Sequence, residues 1–186
     1  QKNEKQINIP QEILVDEEEL VSMLHVEAVK SGSNKNKKII IIDGSNVMRF
    51  GRHEASFLRL QLALKYCFEN KYDTIHVLCD ANLRHKINDL DEKETFELML
   101  KGKMEKVKFQ QSPAGTVADR FILKLGVNYD NAGYKVRIMT NDWFRDFKHP
   151  SGDNYEPDFE KLLKKKDIIV KFMFMEGADG MEFYED

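Results

Sequence analysis

The sequence predicts an α/β fold in which a central, mostly parallel sheet of five strands is flanked by helices. From Lys38 onward, short β-branched runs alternate with longer segments whose apolar residues recur at helical spacing. The first run, Ile39-Ile40-Ile41-Ile42, is continuously apolar, as a strand covered on both faces must be. The 186 residues suffice for one sizeable core and would be a squeeze for two.

Residues 1–37 differ in character from the remainder. Glu17-Glu18-Glu19 leads into Leu20, Met23, Leu24 and Val26 at near-helical spacing, then Ser31-Gly32-Ser33-Asn34-Lys35-Asn36. This predicts an amphipathic helical extension with a polar linker, followed by one domain over 38–186. The apolar stripe needs a cover, supplied by the main domain, a second copy of the chain or a partner protein.

Strands are predicted at Lys38–Ile42, Thr74–Leu78, Val107–Phe109, Lys135–Met139 and Ile168–Met175. Between the first two, Phe57, Leu58, Leu60, Leu62, Ala63, Leu64 and Phe68 predict a helix. Phe96, Leu98, Met99 and Leu100 mark a second helix, and Phe121, Ile122, Leu125 and Val127 a third that opens near Thr116. The stretch from His149 to Pro157 carries turn chemistry and predicts a loop over or near any site at the strand ends. Lys161, Lys164, Lys165 and Lys166 read as a solvated helix end.

A formal net charge of −3 gives no global positive field, so contact with a nucleic acid must come from a local patch. Carboxylates that hold a cation would add to the acid count and mask a basic rim. Cys67 and Cys79 are the only cysteines, and neither sits in a CxxC or Cys/His ligand pattern. That excludes a disulfide scaffold and predicts a reducing, cytoplasmic (intracellular) compartment. No apolar run approaches the roughly 20 residues of a membrane span, and no signal segment opens the chain. Gln1 in place of Met suggests a fragment or processed product, with flanking domains elsewhere.

The strongest chemical signal is the abrupt end of the isoleucine run in Asp43-Gly44-Ser45-Asn46. Asp43 is thereby placed at the carboxyl end of a central strand, where open α/β sheets collect ligands. Gly44 permits close backbone approach, while Ser45 and Asn46 either bond the carboxylate or cap the next element. The plainer reading is a turn, since Asp-Gly and Ser-Asn are common turn formers. Asp80 repeats the placement after the second strand and is open to the same two readings. Asp119 falls in the first turn of the third helix, beside Arg120 and one turn from Lys124. Acids there also favour the helix dipole. After the fourth strand come Asp142, Arg145 and Asp146, and a helix opening here would show both acids on one face. Like charges at that spacing repel unless a cation compensates. Magnesium suits such a set, because it prefers oxygen ligands and is held by a few carboxylates together with substrate phosphate.

The blocks Ile42-Asp43-Gly44-Ser45-Asn46-Val47, Asp119-Arg120-Phe121-Ile122-Leu123-Lys124-Leu125 and Thr140-Asn141-Asp142-Trp143-Phe144-Arg145-Asp146 occur in this order. Together they resemble the NYN branch of PIN-like nucleases, in particular the Regnase-type ribonuclease domain of CCCH zinc-finger proteins, over roughly Lys38 to Lys148. The resemblance implies a Rossmann-like, PIN-like sandwich and a magnesium-dependent endoribonuclease, with manganese as a substitute ion. It implies metal ligation by Asp43, Asp119 and Asp142, with Asn46 and Asp146 as polar supports of catalysis. Asp80-Ala81-Asn82-Leu83-Arg84-His85 is similar to a block of bacterial members, which makes Asp80 a further candidate ligand. There are two departures. Ala118 precedes Asp119 where the animal proteins carry paired aspartates, and no Cys/His zinc finger follows the domain.

An RNA substrate would meet a basic rim of Arg84, Lys86, Arg120, Lys124 and Arg145, together with Arg49 and Arg52, on or beside the strand-end loops. Single-stranded RNA is favoured over duplex through the resemblance alone. Trp143 and Phe144 either stack on bases or pack in the core, and packing is the commoner use of such aromatics. Two other readings compete. One is a PIN-like module that binds RNA or protein without catalysis, motivated by Ala118 and the N-terminal helix. The other is a phosphatase with Asp43 as nucleophile, against which stands Ser45 in place of the usual second aspartate.

Overall fold

The computed structural model describes residues 36–113, 115–116, 118–175 and 180–185. The expected helical extension over 1–37 therefore lies, but for its last two residues, outside the described residues. Six strands form one sheet: β1 (Lys38–Asp43), β2 (Thr74–Cys79), β3 (Val107–Gln111), β4 (Lys135–Met139), β5 (Ile169–Phe174) and β6 (Met181–Glu185), in the order β3-β2-β1-β4-β5-β6. The first five run parallel, and β6 pairs antiparallel with β5.

The α/β class and the mostly parallel sheet are as the sequence predicts. The count of five is corrected to six. The missed strand follows Gly177-Ala178-Asp179-Gly180, whose turn-forming composition signals an end of structure, and its five residues are too short for a clear period. Its partly buried Met181 and Phe183 nonetheless pack on the core, with the Phe183 ring stacked on Tyr66 at 4.2 Å between centroids.

The isoleucine run explains the layering. Side chains alternate across a strand, so Ile40 and Ile42 face α1 (Gly44–Arg49), α2 (Phe57–Glu69) and α3 (Leu90–Lys101) in one core cluster. Ile39 and Ile41 face α4 (Asp119–Asn131), α5 (Arg145–Lys148) and α6 (Pro157–Leu163) in the other. All four are fully buried, each contributing roughly 1.5–3 kcal/mol of apolar transfer. Gly126 brings α4 close to its neighbours: a Cβ there would lie 2.8 Å from a Leu162 methyl and 3.4 Å from one of Ile138. No helix among the described residues is long and apolar enough to cross a membrane.

Two helix starts differ from expectation. Thr116 does not cap α4; its hydroxyl donates to the Pro113 carbonyl at 2.7 Å, and the helix opens at Asp119 behind Ala118. The Ala118 N–H is instead taken by the Asp80 carboxylate at 3.0 Å. Nor does a helix open at Asp142, since α5 begins three residues later.

Between β1 and β4 the order of strands reverses direction along the chain. Connections leaving their carboxyl ends diverge there and open a crevice, the usual ligand position of such sheets. Ile42 pairs with Met139, so Asp43 at the end of β1 stands level with Thr140 just beyond β4.

Candidate active site

Asp43 is 4% exposed and both of its oxygens are engaged. As N-cap of α1 it accepts the Asn46 N–H on Oδ1 at 3.0 Å, and Oδ2 accepts the Thr140 hydroxyl at 2.9 Å. The helix can start immediately because residue 44 is glycine: a Cβ there would lie 2.4 Å from Cys79 Sγ. Asn46 sends its side-chain oxygen across the crevice to the Asn141 N–H at 2.9 Å. Asn141 in turn grips β5, donating to the Phe172 carbonyl at 2.8 Å and accepting its N–H at 3.1 Å. The ends of β1, β4 and β5 are thus fastened by side chains of the two conspicuous motifs.

Asp142 sits in the loop after β4, where its N–H donates to the Thr140 hydroxyl at 3.1 Å. Its Oδ1 accepts the Phe144 N–H at 2.7 Å in a tight local turn. Asp119 opens α4 half-buried. Asp80 is held on three sides: its N–H donates to Ser45 Oγ at 2.8 Å, Oδ1 accepts from Ala118, and Oδ2 faces Arg49 at 3.5 Å. Asp80, through its N–H and its two oxygens, therefore fastens the segments after β1, β2 and β3 to one another.

Electrostatics tie these acids into one group. Burial pushes the Asp43 carboxyl up to about 7, with repulsion from Asp119 and then Asp80 adding, while the Asn46 and Thr140 hydrogen bonds pull downward. Burial likewise raises Asp119 to about 6, assisted by repulsion from Asp142 and Asp80 and offset in part by Arg49. Asp119 thus repels Asp43, Asp80 and Asp142, and Asp80 also repels Asp43, so the four carboxylates form one chain of coupled charges. Asp146 stands apart. It is exposed in α5, does not share a helical face with Asp142, and is not among the charges that perturb Asp43 or Asp119.

The basic residues are distributed unevenly around this pocket. Arg49 faces it from α1, also bonding the Ser45 carbonyl at 3.2 Å. Arg120 pairs with Glu156 at 2.6 Å, which ties the loop after α5 to the start of α4. Lys124 follows it one turn on, half-buried. Arg84 and Lys86 lie on the short 3-10 turn Leu83–Lys86 after β2, where the Arg84 Nε donates to the His85 ring. Arg145 is exposed at the start of α5. The two aromatics divide: Phe144 is 2% exposed in the core and Trp143 is 58% exposed.

Two residues that sequence reasoning passed over belong to the site. Thr140 joins Asp43 to Asp142, and its signal was a polar residue directly after the apolar Ile138-Met139 end of β4. Lys171 is 7% exposed, donates to the Asp142 carbonyl at 3.1 Å and lies 4.4 Å from the Trp143 ring centroid. A lone lysine inside Ile168-Ile169-Val170-Lys171-Phe172 was its signal.

All donors in the pocket are oxygens. Among the described residues no three His, Cys, Asp or Glu side chains are grouped so that they could hold a metal ion, so the expected joint ligation by Asp43, Asp119 and Asp142 is not assembled by these side chains as they stand. Carboxylates alone suit magnesium better than zinc in ligand type, because magnesium takes one or two carboxylates and completes its shell with waters and substrate phosphate. The half-buried Asp119 and the mutual repulsion of the acids leave room for a hard cation to lower the charge. Asp43, in contrast, is ill suited to attack a substrate itself, being buried with both oxygens occupied.

A family model described as the Zc3h12a-like Ribonuclease NYN domain matches residues 36–182. No curated protein matches the chain.

Proposed function

Since the chain belongs to the Zc3h12a-like ribonuclease NYN domain family, we propose that it is a magnesium-dependent endoribonuclease that hydrolyses phosphodiester bonds of single-stranded RNA. The observation that supports this reading is the mutual repulsion that couples Asp43, Asp80, Asp119 and Asp142, with two of the carboxyls pushed well above their usual range. Such a group of acids favours occupation by a divalent cation, with Asp119, Asp142 and Asp43 as the acids that would hold it and manganese able to replace magnesium. The ion, when bound, would supply Lewis acidity toward the phosphodiester and a water made more acidic by coordination.

The chain itself does the positioning. Thr140 holds Asp43 and the backbone of Asp142 at a fixed separation, Asn46 locks the β4 loop to α1, and Asp80 pins the backbone one residue before Asp119. Arg49 on one side, and Arg84, Lys86, Arg120, Lys124 and Arg145 further out, offer cations to the RNA backbone. Asp146 is assigned a supporting role at the rim. Two buried, free cysteines are consistent with action in the cytoplasm.

Cleavage of end-labelled single-stranded RNA with magnesium tests the reading. Wild-type protein is expected to give internal cuts that chelator abolishes, and Asp43→Asn to lower the rate at least 100-fold, the scale for removal of one electrostatic catalytic group. RNA left whole by the wild type, or cut equally by the variant, overturns it. In that event, RNA binding without metal-dependent stabilisation would identify a non-catalytic binding module. That alternative draws on Ala118, whose N–H already occupies one oxygen of Asp80.

A further inference from the structure

We infer that Trp143 is a stacking platform for one nucleobase of the RNA, on a cavity that Asp142 also lines. The inference rests on the ribonuclease reading for the identity of its ligand and extends it by assigning a base subsite. Trp143 follows Asp142 in the chain, and the two residues line one cavity of about 220 Å³ together with Phe144, Lys148, Lys165 and Lys171. Pockets for drug-sized ligands span roughly 300–1,000 Å³. This one has the scale of a single planar ring system.

The exposure of the indole is arranged by the backbone. Phe144 takes a left-handed conformation at φ 47°, which a non-glycine residue adopts at a cost. That turn sends Phe144 into the core against Phe147, at 6.3 Å between centroids, while Trp143 remains 58% exposed. Adjacent aromatics are therefore sorted, one inward and one outward.

Cations hold the outward ring. The Lys171 ammonium lies 4.4 Å from the indole centroid and is itself anchored on the Asp142 carbonyl, and the Lys148 ammonium lies 5.7 Å away. Attraction between a cation and the ring face holds the indole in place, and Trp143 stays 58% exposed beside both cations. The Lys148 ammonium, on a half-buried residue, favours a phosphate next to a stacked base. Stacking on an aromatic is tolerant of base identity, so the platform adds affinity and position more than sequence preference.

Trp143 is the chain's only tryptophan, so its fluorescence reports this one place. An unlabelled adenosine 12-mer titrated into the Asp43→Asn protein without metal is expected to quench the emission saturably. A 12-mer of abasic ribose-phosphate is expected to leave it unchanged. In cleavage assays, Trp143→Ala is expected to raise KM about tenfold with kcat nearly unchanged, and Trp143→Phe to recover most of the loss. Unquenched emission while polarisation of a labelled 12-mer shows it bound, no binding of the 12-mer at all, or an unchanged KM in Trp143→Ala overturns the platform. If the wild type cuts no RNA, the nuclease reading fails by itself, and the quenching experiment still decides whether Trp143 takes a base.

Discussion

Thr140 holds Asp43 and Asp142 through a single hydroxyl, donating to the Asp43 carboxylate at 2.9 Å while accepting the Asp142 N–H at 3.1 Å. A hydroxyl has one proton, so this pairing commits it to Asp43 and leaves the acceptor side for the β4 loop. Thr140 is fully buried, so removal of its hydroxyl leaves both partners without that bond.

Thr140→Val should therefore destabilise the protein by roughly 1–3 kcal/mol, because Oδ2 of a buried carboxylate loses its partner. RNA cleavage should fall further than stability accounts for, since two acids lose their mutual placement. Thr140→Ser should restore most of both. Urea unfolding and single-turnover cleavage of the three proteins check this.

Stability in the absence of metal should decline as pH rises from about 4 to about 7. Asp43 and Asp119 have folded-state values near 7 and 6 against an ordinary 3.8. Between those limits the native state binds more protons than the unfolded chain, so the contribution is fully present below pH 4 and is lost as pH passes the folded values. The slope approaches about 1.4 kcal/mol per pH unit for each whole proton retained. Asp43→Asn should flatten the profile. Thermal melts in chelator across this range measure it, and a profile that rises with pH in the wild type and not in the variant would contradict the pocket.

Magnesium should reverse that trend. An ion that binds the native state alone stabilises by about 2.7 kcal/mol at a hundredfold excess over Kd. It competes with protons for the same oxygens, so the shift in melting temperature should be larger at pH 8 than at pH 6. Asp119→Asn should lose most of it. Melts with and without magnesium at the two pH values, with chelator as control, decide the matter.

Gly44→Ala should cost about 1–3 kcal/mol, the usual range for overpacking. The added methyl would meet Cys79 Sγ at 2.4 Å, Val77 Cγ1 at 3.0 Å and the Leu78 carbonyl at 3.1 Å. Adding Cys79→Ala should recover part of the loss and not all, because two of the three contacts remain. Chemical denaturation of the single and double variants tests the relation.

Much of this site was legible where local chemistry and global position agree. The isoleucine run ending in Asp43-Gly44 could serve only as a doubly covered central strand that stops at a polar edge, and both statements hold in three dimensions. Asp119 and Asp142 were readable as acids at element ends, but their relation to Asp43 came from the family pattern and not from spacing. The helix expected at Asp142 failed because its carboxylate bonds the Phe144 N–H, a local alternative that competes with helix formation and delays α5 to Arg145. Thr116 looked like a cap, yet Asp80, distant in sequence, claims the backbone at Ala118. Such long-range competition leaves no trace in local composition. β6 was hidden for another reason: its five residues are stabilised by pairing with β5 and packing beside Tyr66 more than by any pattern of their own.

The hydroxyl that joins Asp43 to Asp142 spans 97 positions of the chain. At ribosomal speeds of about 5–20 residues per second, roughly five to twenty seconds separate the synthesis of one partner from that of the other. During that interval the emerging polypeptide carries its first acid with nothing opposite, and the grip of Asn141 on Phe172 must wait for a further 31 residues. The link between the two acids is therefore completed only after Thr140 has been made.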